Sequence, residues 1–269
     1  MMVVQRNSQA VSTGPIIGIL QARMSSTRLP GKVLLPLVGQ PMLARQIARL
    51  RRARSLDRLV VATTVEERDD PIAALAAELG LDCFRGSRDD VLDRYFHAAE
   101  PFRPAYVVRL TADCPLADWD VIDRAIDFAV SGGFDYASNT LRPTWPDGLD
   151  VEVMTFAALE TAWREATSPV DREHVTPYII GRPERSVQGS LQSEVDLSEM
   201  RWTVDEPRDF EFVSRVYEHL YPGDPAFTTA DVLALLQARP ELMELNRGIE
   251  RNEGLRLSIE KYMRELSGE

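Results

Sequence analysis

The sequence predicts an α/β protein built on a parallel, doubly wound sheet with helices on both faces. The first half alternates short apolar runs of strand length with segments of helical period. The first run, Ile16–Leu20, is apolar throughout, as a strand buried on both faces is. The chain has 269 residues, of which 44% are hydrophobic, and that is enough for a substantial core. No internal repeat or low-complexity linker divides it. One domain over residues 15–269 with an insertion is therefore expected, rather than two separate units.

The elements follow in order. After Ile16–Leu20 comes a loop, then a helix near Met42–Arg54 whose first turn accepts Pro41. Arg58–Thr63 is the second strand, and Pro71–Leu79 is rich in the alanine and leucine that favour a helix. Leu81–Arg85 is a short strand, and Asp89–Phe96 a helix capped by Asp89 or Asp90. Ala105–Leu110 and Trp119–Val130 complete the alternation. The second half reads as a strand over Gly148–Met154, a helix over Phe156–Glu165, and a helix over Asp171–Ile180 interrupted at Pro177. A hairpin strand is expected at Ser186–Leu191 and a last strand at Met200–Val204. Helices are expected at Pro207–Tyr221, Thr229–Ala238 and Pro240–Leu266, the last with mixed charges and therefore on the outside.

The net charge of −11 disfavours nucleic acid as a partner, because an acidic surface repels a polyanion. Cys83 and Cys114 stand far apart without metal spacing, which suits buried thiols in a reducing compartment. Residues 1–14 are polar with no apolar stretch, so a disordered leader is expected rather than a signal peptide. No apolar run approaches the roughly 20 residues that span a bilayer, and a cytoplasmic protein without membrane contact is expected.

Chemistry concentrates after the first strand. Gln21-Ala22-Arg23-Met24-Ser25-Ser26-Thr27-Arg28-Leu29-Pro30-Gly31-Lys32 sets Arg23, Arg28 and Lys32 among small and turn-forming residues. Guanidinium groups grip phosphate oxygens in pairs and a lysine adds a point charge, so the loop suits a polyphosphate. The competing reading is a solvated basic loop. Neither a Walker loop nor a dinucleotide fingerprint is present. Asp113 follows a core strand, in the crevice beyond the strand ends where ligands of such sheets sit. A carboxylate beside a triphosphate can hold Mg²⁺. Asp205 repeats the arrangement in the second half and could share the metal, although capping the helix at Pro207 explains it equally well. Asp118-Trp119-Asp120 matches a loose D-x-D pattern, but its place at a helix start favours capping. Asp150 and Glu152 share one face of their strand, either as a solvated edge or to meet sugar hydroxyls. His174 stands between charges, where a structural role outweighs a catalytic one, and no Ser–His–Asp or Cys–His set stands out.

The opening loop is very similar to the signature of the sugar-acid cytidylyltransferases, which make CMP-Kdo and CMP-sialic acid. Val60–Thr63 resembles their second strand, and Thr111–Leu116 their metal-aspartate segment. The spore-coat polysaccharide SpsF group resembles nearly the whole chain. That likeness includes Arg85-Gly86-Ser87, Asp90-Val91-Leu92-Asp93-Arg94-Tyr95, Gly148–Val153 and Arg172-Glu173-His174-Val175-Thr176. The resemblance implies a three-layer GT-A-like nucleotidyltransferase fold with a mostly parallel sheet. It also implies CTP as donor, Mg²⁺, and transfer of CMP to a small anionic sugar acid with release of pyrophosphate. Carried over by position, Arg23 and Lys32 bind the triphosphate and Arg28 assists. Gln21, Ala22, Thr63, Ser87 and Thr111 lie around the nucleoside, and Asp113 and Asp205 hold the metal. The chain departs from the Kdo enzymes in having Thr64 for an aspartate and Thr111 for a glutamine. A homodimer joined through residues 140–200 is also implied. The expected chemistry is in-line attack by an acceptor hydroxyl, or a phosphate or phosphonate oxygen, on the α-phosphorus, with Asp150 orienting the acceptor or taking its proton. The alternatives are a GT-A glycosyltransferase using a nucleotide sugar and an inactive nucleotide-binding protein.

Overall fold

The computed structural model describes residues 14–249, 251 and 253–267. The expected leader falls almost entirely outside the described residues. A seven-stranded sheet forms the centre, in the order β5-β4-β1-β6-β8-β7-β9. Its strands are β1 (Ile16–Gln21), β4 (Arg58–Thr64), β5 (Asp82–Gly86), β6 (Tyr106–Thr111), β7 (Tyr136–Ser138), β8 (Glu152–Thr155) and β9 (Gln188–Ser190). A small antiparallel pair, β2 (Pro36–Leu37) and β3 (Gln40–Pro41), stands apart. The β5-β4-β1-β6 half is parallel throughout. β8 lies antiparallel between β6 and β7, and β9 is parallel to β7. The sheet is thus mixed, though mostly parallel.

Helices α1 (Met42–Leu50), α2 (Asp70–Glu78), α3 (Val91–Ala99), α4 (Trp119–Gly132) and α5 (Phe156–Glu165) follow the expected alternation. Beyond them lie α6 (Pro169–His174), α7 (Pro177–Ile180), α8 (Pro207–Leu220), α9 (Thr229–Ala238) and α10 (Glu253–Ser267). Strand alternation divides the core into two layers. Leu20, Val61, Val108 and Leu110 pack with α1 and α4 on one face, while Ile17, Ile19, Val60 and Val107 pack with α3 and α5 on the other. No helix among the described residues is long and apolar enough to cross a membrane.

Four expectations are corrected. Met200–Val204 is not a strand: Arg201 makes a single bridge to Asp147, and Val204 N donates to Asp113 O at 2.8 Å. The segment satisfies its backbone on two loops instead of on a strand edge. Gln188–Ser190 is no hairpin, since it pairs in parallel with β7. Glu152 opens β8, so Asp150 lies in the loop before it rather than on the strand, although both carboxylates line the same cavity. Pro240–Leu266 is broken: a 3₁₀ turn at Pro240–Glu244 precedes Gly248, which has φ +81°, before α10 begins.

Candidate active site

The loop after β1 is closed by its own backbone and pinned by a carboxylate. Gly31 N donates to Met24 O at 3.0 Å, and Met24 N donates to Asp69 at 2.7 Å. Gly31 adopts φ +71°, a left-handed turn that a side chain would strain, and the chain then enters the 3₁₀ turn Lys32–Leu34. That turn buries Lys32 to 8% exposure and aims it across the strand ends.

Lys32 Nζ lies 3.2 Å from Asp113, 2.9 Å from Asp205 and 2.7 Å from Val204 O. Two carboxylates from opposite halves of the chain thus meet on one ammonium. Burial works against the charge of Lys32, but Asp113 and Asp205 outweigh it and raise its pKa above the ordinary lysine value. Burial likewise opposes ionisation of Asp113. Lys32 and hydrogen bonds from Thr111 and Cys114 prevail and bring its carboxyl down to about 2.

Asp205 does not cap the helix after it. Glu206 holds the cap position of α8, and Asp209 accepts from both Asp205 N and Glu206 N at 3.0 Å. The Asp205 carboxylate is left to Lys32, Arg28 and Arg201. Asp118 caps α4 as expected, accepting from Asp120 N, and binds Thr229 as well. Its D-x-D pattern is therefore structural.

These groups open onto two joined cavities. One, of about 510 Å³, is lined by Gln21, Ala22, Arg23, Arg28, Lys32, Thr111, Asp113 and Asp205, with Arg94 and Arg109. The other, of about 610 Å³, shares Arg28, Asp113, Asp205 and His174 and extends to Asp147, Asp150 and Glu152. Two expected nucleoside residues lie outside both linings. Thr63 is fully buried, on the face of β4 that carries Val61. Ser87 accepts from Asp90 N at 3.1 Å, one turn before α3. Arg23 lines the first cavity and makes no hydrogen bond or ion pair among the described residues.

Several residues of the site went unread in the sequence. Arg109, on β6, forms an ion pair with Glu152, which also accepts from Tyr136 at 2.6 Å and Thr176 at 2.7 Å. Glu152 is therefore a buried anchor and not a solvated edge. A charge inside the apolar run Ala105–Leu110 was the available signal. The start of α10 closes the mouth: Glu253 pairs with Arg28 at 2.5 Å, and Arg251 just before it pairs with Asp150 at 2.6 Å. The last helix thus begins at the cavity instead of lying wholly outside it. His174 lines both cavities; burial lowers its pKa and keeps the imidazole neutral.

Burial raises Asp150, and Asp147, Glu152 and Asp113 add to the effect against Arg251, so its carboxyl is pushed up to about 7. A carboxyl titrating there gains its carboxylate form, which can accept a proton, as pH rises through neutrality. If Asp150 is the acceptor's base, kcat/KM should rise with pH through about 7. An Asp150→Asn variant should lose about 10²–10⁴-fold and show a flat profile. An unchanged rising limb in that variant would remove the role.

The donor set fits a divalent ion. Among the described residues no three His, Cys, Asp or Glu side chains converge to hold a metal unaided. Asp113 and Asp205 supply two carboxylates, and Mg²⁺ characteristically takes one or two of them, keeping water and substrate phosphate for the rest.

A strand-end crevice with a cationic loop facing paired aspartates defines a nucleotidyltransferase. The cytidylyltransferase family model matches residues 17–221, and the chain belongs to that family. It is 33% identical over 234 residues to the spore coat polysaccharide biosynthesis protein SpsF of Bacillus subtilis, covering 84% of this chain and 95% of that one. A cytidylyltransferase structure from Leptospira borgpetersenii superposes with TM-score 0.83 at 31% identity, over 88% of this chain and all of that one. The CMP:2-keto-3-deoxy-manno-octonic acid synthetase complexed with CTP shares the fold, with TM-score 0.58 at 15% identity over 76% of this chain and 98% of that one.

Proposed function

We propose that this chain transfers CMP from CTP to a hydroxyl of a sugar acid, of the nonulosonic or Kdo-like class, and releases pyrophosphate. The observation that carries the reading is Lys32 joining Asp113 and Asp205 in the lining of a cavity that also holds Arg23, which has no ion-pair partner among the described residues. Arg23 and Lys32 receive the triphosphate. Phosphate oxygens compete with Glu253 for Arg28, which then adds its charge. Asp113 and Asp205 would hold Mg²⁺, which supplies charge neutralisation at the phosphates when bound. The cations oppose the charge that grows on departing pyrophosphate, so the catalysis is mainly positioning and electrostatics. Asp150 faces the second cavity, where the acceptor would lie, and draws the proton from its hydroxyl. The same reading has one domain over residues 15–269, a homodimer joined through residues 140–200, and a cytoplasmic role in surface-glycan synthesis.

The lining of the second cavity favours one other acceptor. Asp147, Asp150, Glu152 and Glu253 make that wall acidic, and Arg28 and Arg109 are already paired. A neutral or aminated sugar would meet fewer like charges there. Pyrophosphate release can be measured with each of the four nucleoside triphosphates, Mg²⁺, and acidic, neutral and aminated sugars. CTP with a sugar acid should turn over fastest. Turnover with neutral or aminated sugars alone would select the other acceptor, and CTP binding without any pyrophosphate release would argue against a transferase.

A further inference from the structure

Where the two cavities join, strained backbone sets one side chain. His174 ends α6 and lines both cavities. The residue after it, Val175, has φ +73° and ψ −58°, and Thr176 N donates to His174 O at 2.9 Å. That is the rarer, strained kind of γ-turn, and a β-branched residue adopts it only where its surroundings force it. Here they do. Val175 is fully buried in the layer of Tyr136, Met154 and Ile179, and the Thr176 hydroxyl is fixed on Glu152 at 2.7 Å. On the other side Arg172 anchors α6, donating to Asp90 at 3.0 Å and to Trp163 O at 2.7 Å.

The ring so placed has no partner of its own. Its Nε2 is enclosed, 3.8 Å from the Glu173 carboxylate and beyond hydrogen-bond reach. Its Nδ1 is not enclosed and makes no hydrogen bond among the described residues. Burial holds the ring neutral; Arg109 and Arg23 add to the effect, and Glu173 and Glu152 oppose it. Two other nitrogen-bearing side chains reach the junction, and both are taken. Arg28 pairs with Asp205 and Glu253, and Arg109 pairs with Glu152.

With a nucleotide in the first cavity and an acceptor in the second, the phosphorus that passes between them lies at this junction. A neutral imidazole carries its one proton on either nitrogen, so Nδ1 can serve as the donor. A donor held in place beforehand stabilises charge on a reacting oxygen without reorganising at the moment of reaction. We propose that His174 is a catalytic residue, donating from Nδ1 to an oxygen of the phosphoryl group being transferred, and that the strained turn at Val175 aims it. The assignment rests on the reading that the two cavities take nucleotide and acceptor.

The chain has three histidines, so nitrogen NMR of the imidazoles sets His174 against His97 and His219 as internal controls, assigned with His97→Gln and His219→Gln. The full chain is titrated with cytidine, and with CMP and CTP in the presence of Mg²⁺, while calorimetry gives the affinities. CMP and CTP should each shift the His174 signals and leave the other two in place; cytidine, which has no phosphate, should shift none. His174→Ala should weaken CMP about 10- to 100-fold, the scale of a hydrogen bond to a charged group, and leave cytidine unchanged. A merely structural histidine would lose both together. His174→Asn keeps a polar atom near Nδ1 and should recover part of the loss. Val175→Gly keeps the imidazole but relaxes the turn, and should weaken CMP about 10-fold. A His174 shift as large with cytidine as with CMP would place the ring beside the nucleoside and overturn the assignment. So would CMP and CTP binding that leaves His174 unmoved, and the wild-type titration decides alone if His174→Ala does not fold. A wild type that binds neither nucleotide would instead remove the nucleotide reading itself.

Discussion

Asparagine in place of Asp113 is expected to lower kcat by about 10³-fold or more while the protein still folds. Metal-linked charge stabilisation amounts to several kcal/mol, and each 1.4 kcal/mol is a factor of ten. Asparagine keeps the shape of the side chain, and Lys32 retains Asp205 at 2.9 Å and Val204 O at 2.7 Å, so the local fold has other supports. The pairing has a pH signature of its own. The native Asp113 pKa lies at about 2, below the ordinary 3.8, so its contribution to stability is complete above 3.8 and is lost as pH falls through about 2. Lys32 is shifted upward, so its contribution is complete below 10.5 and is lost at still higher pH. Pyrophosphate release measured across a Mg²⁺ titration checks the prediction. Full turnover in Asp113→Asn at any Mg²⁺ concentration would dismantle the site.

Why Asp113 and Lys32 were legible, and Glu152 was not, is a matter of range. Arg23 and Asp113 each follow a strand directly, and Lys32 ends the loop that Arg23 begins, so the topology brings them to one end of the sheet. Asp205 needed more. Its segment looks like a strand, but it is held by Trp202 N on Asp147 O at 2.6 Å and Val204 N on Asp113 O at 2.8 Å. Gly148 permits this approach: at φ +109°, a Cβ there would meet Thr203 N at 2.5 Å. Such loop-to-loop contact has no periodicity for a sequence to display. The Asp150–Glu152 alternation misled for a related reason, since β8 begins only where pairing with β6 becomes possible.

The same limit explains α10. Its mixed charges do read as a solvated helix, and most of its described length is half-buried or exposed. Yet its first turn carries Glu253, which reaches Arg28 some 225 positions away. Arg94 shows the opposite case. A charged residue between Leu92 and Tyr95, both buried, signals burial and hence a partner, but only the structure shows that Arg94 Nε and Nη1 have none among the described residues.

Removing Arg201 should cost about 3–5 kcal/mol of folding stability, the largest loss expected of any single surface-distant side chain in this site. Arg201 is a hub for three carboxylates. Its Nη1 lies 2.8 Å from Asp147, its Nε 2.9 Å from Asp209, and its Nη2 3.0 Å from Asp205. Asp209 is fully buried and accepts further from Asn246 at 3.1 Å. Arg201→Ala leaves these acids in a closed space with one cation fewer, and breaking a buried pair costs more than the pair contributes. Urea unfolding should register the loss, and the melting temperature should fall by roughly 6–20 °C. Burial opposes ionisation of Asp209, but Arg201 and the backbone amides of Asp205 and Glu206 bring its pKa below the ordinary 3.8. The wild type therefore holds that stabilisation above 3.8 and loses it as pH falls through the native value, whereas Arg201→Ala should show a shallower acid limb. Because Arg201 also fixes Asp205, the variant should bind Mg²⁺ more weakly at temperatures where it remains folded, by about 10- to 100-fold. An Arg201→Ala protein as stable as the wild type would mean that water reaches these carboxylates, and that Asp205 is positioned by Lys32 alone.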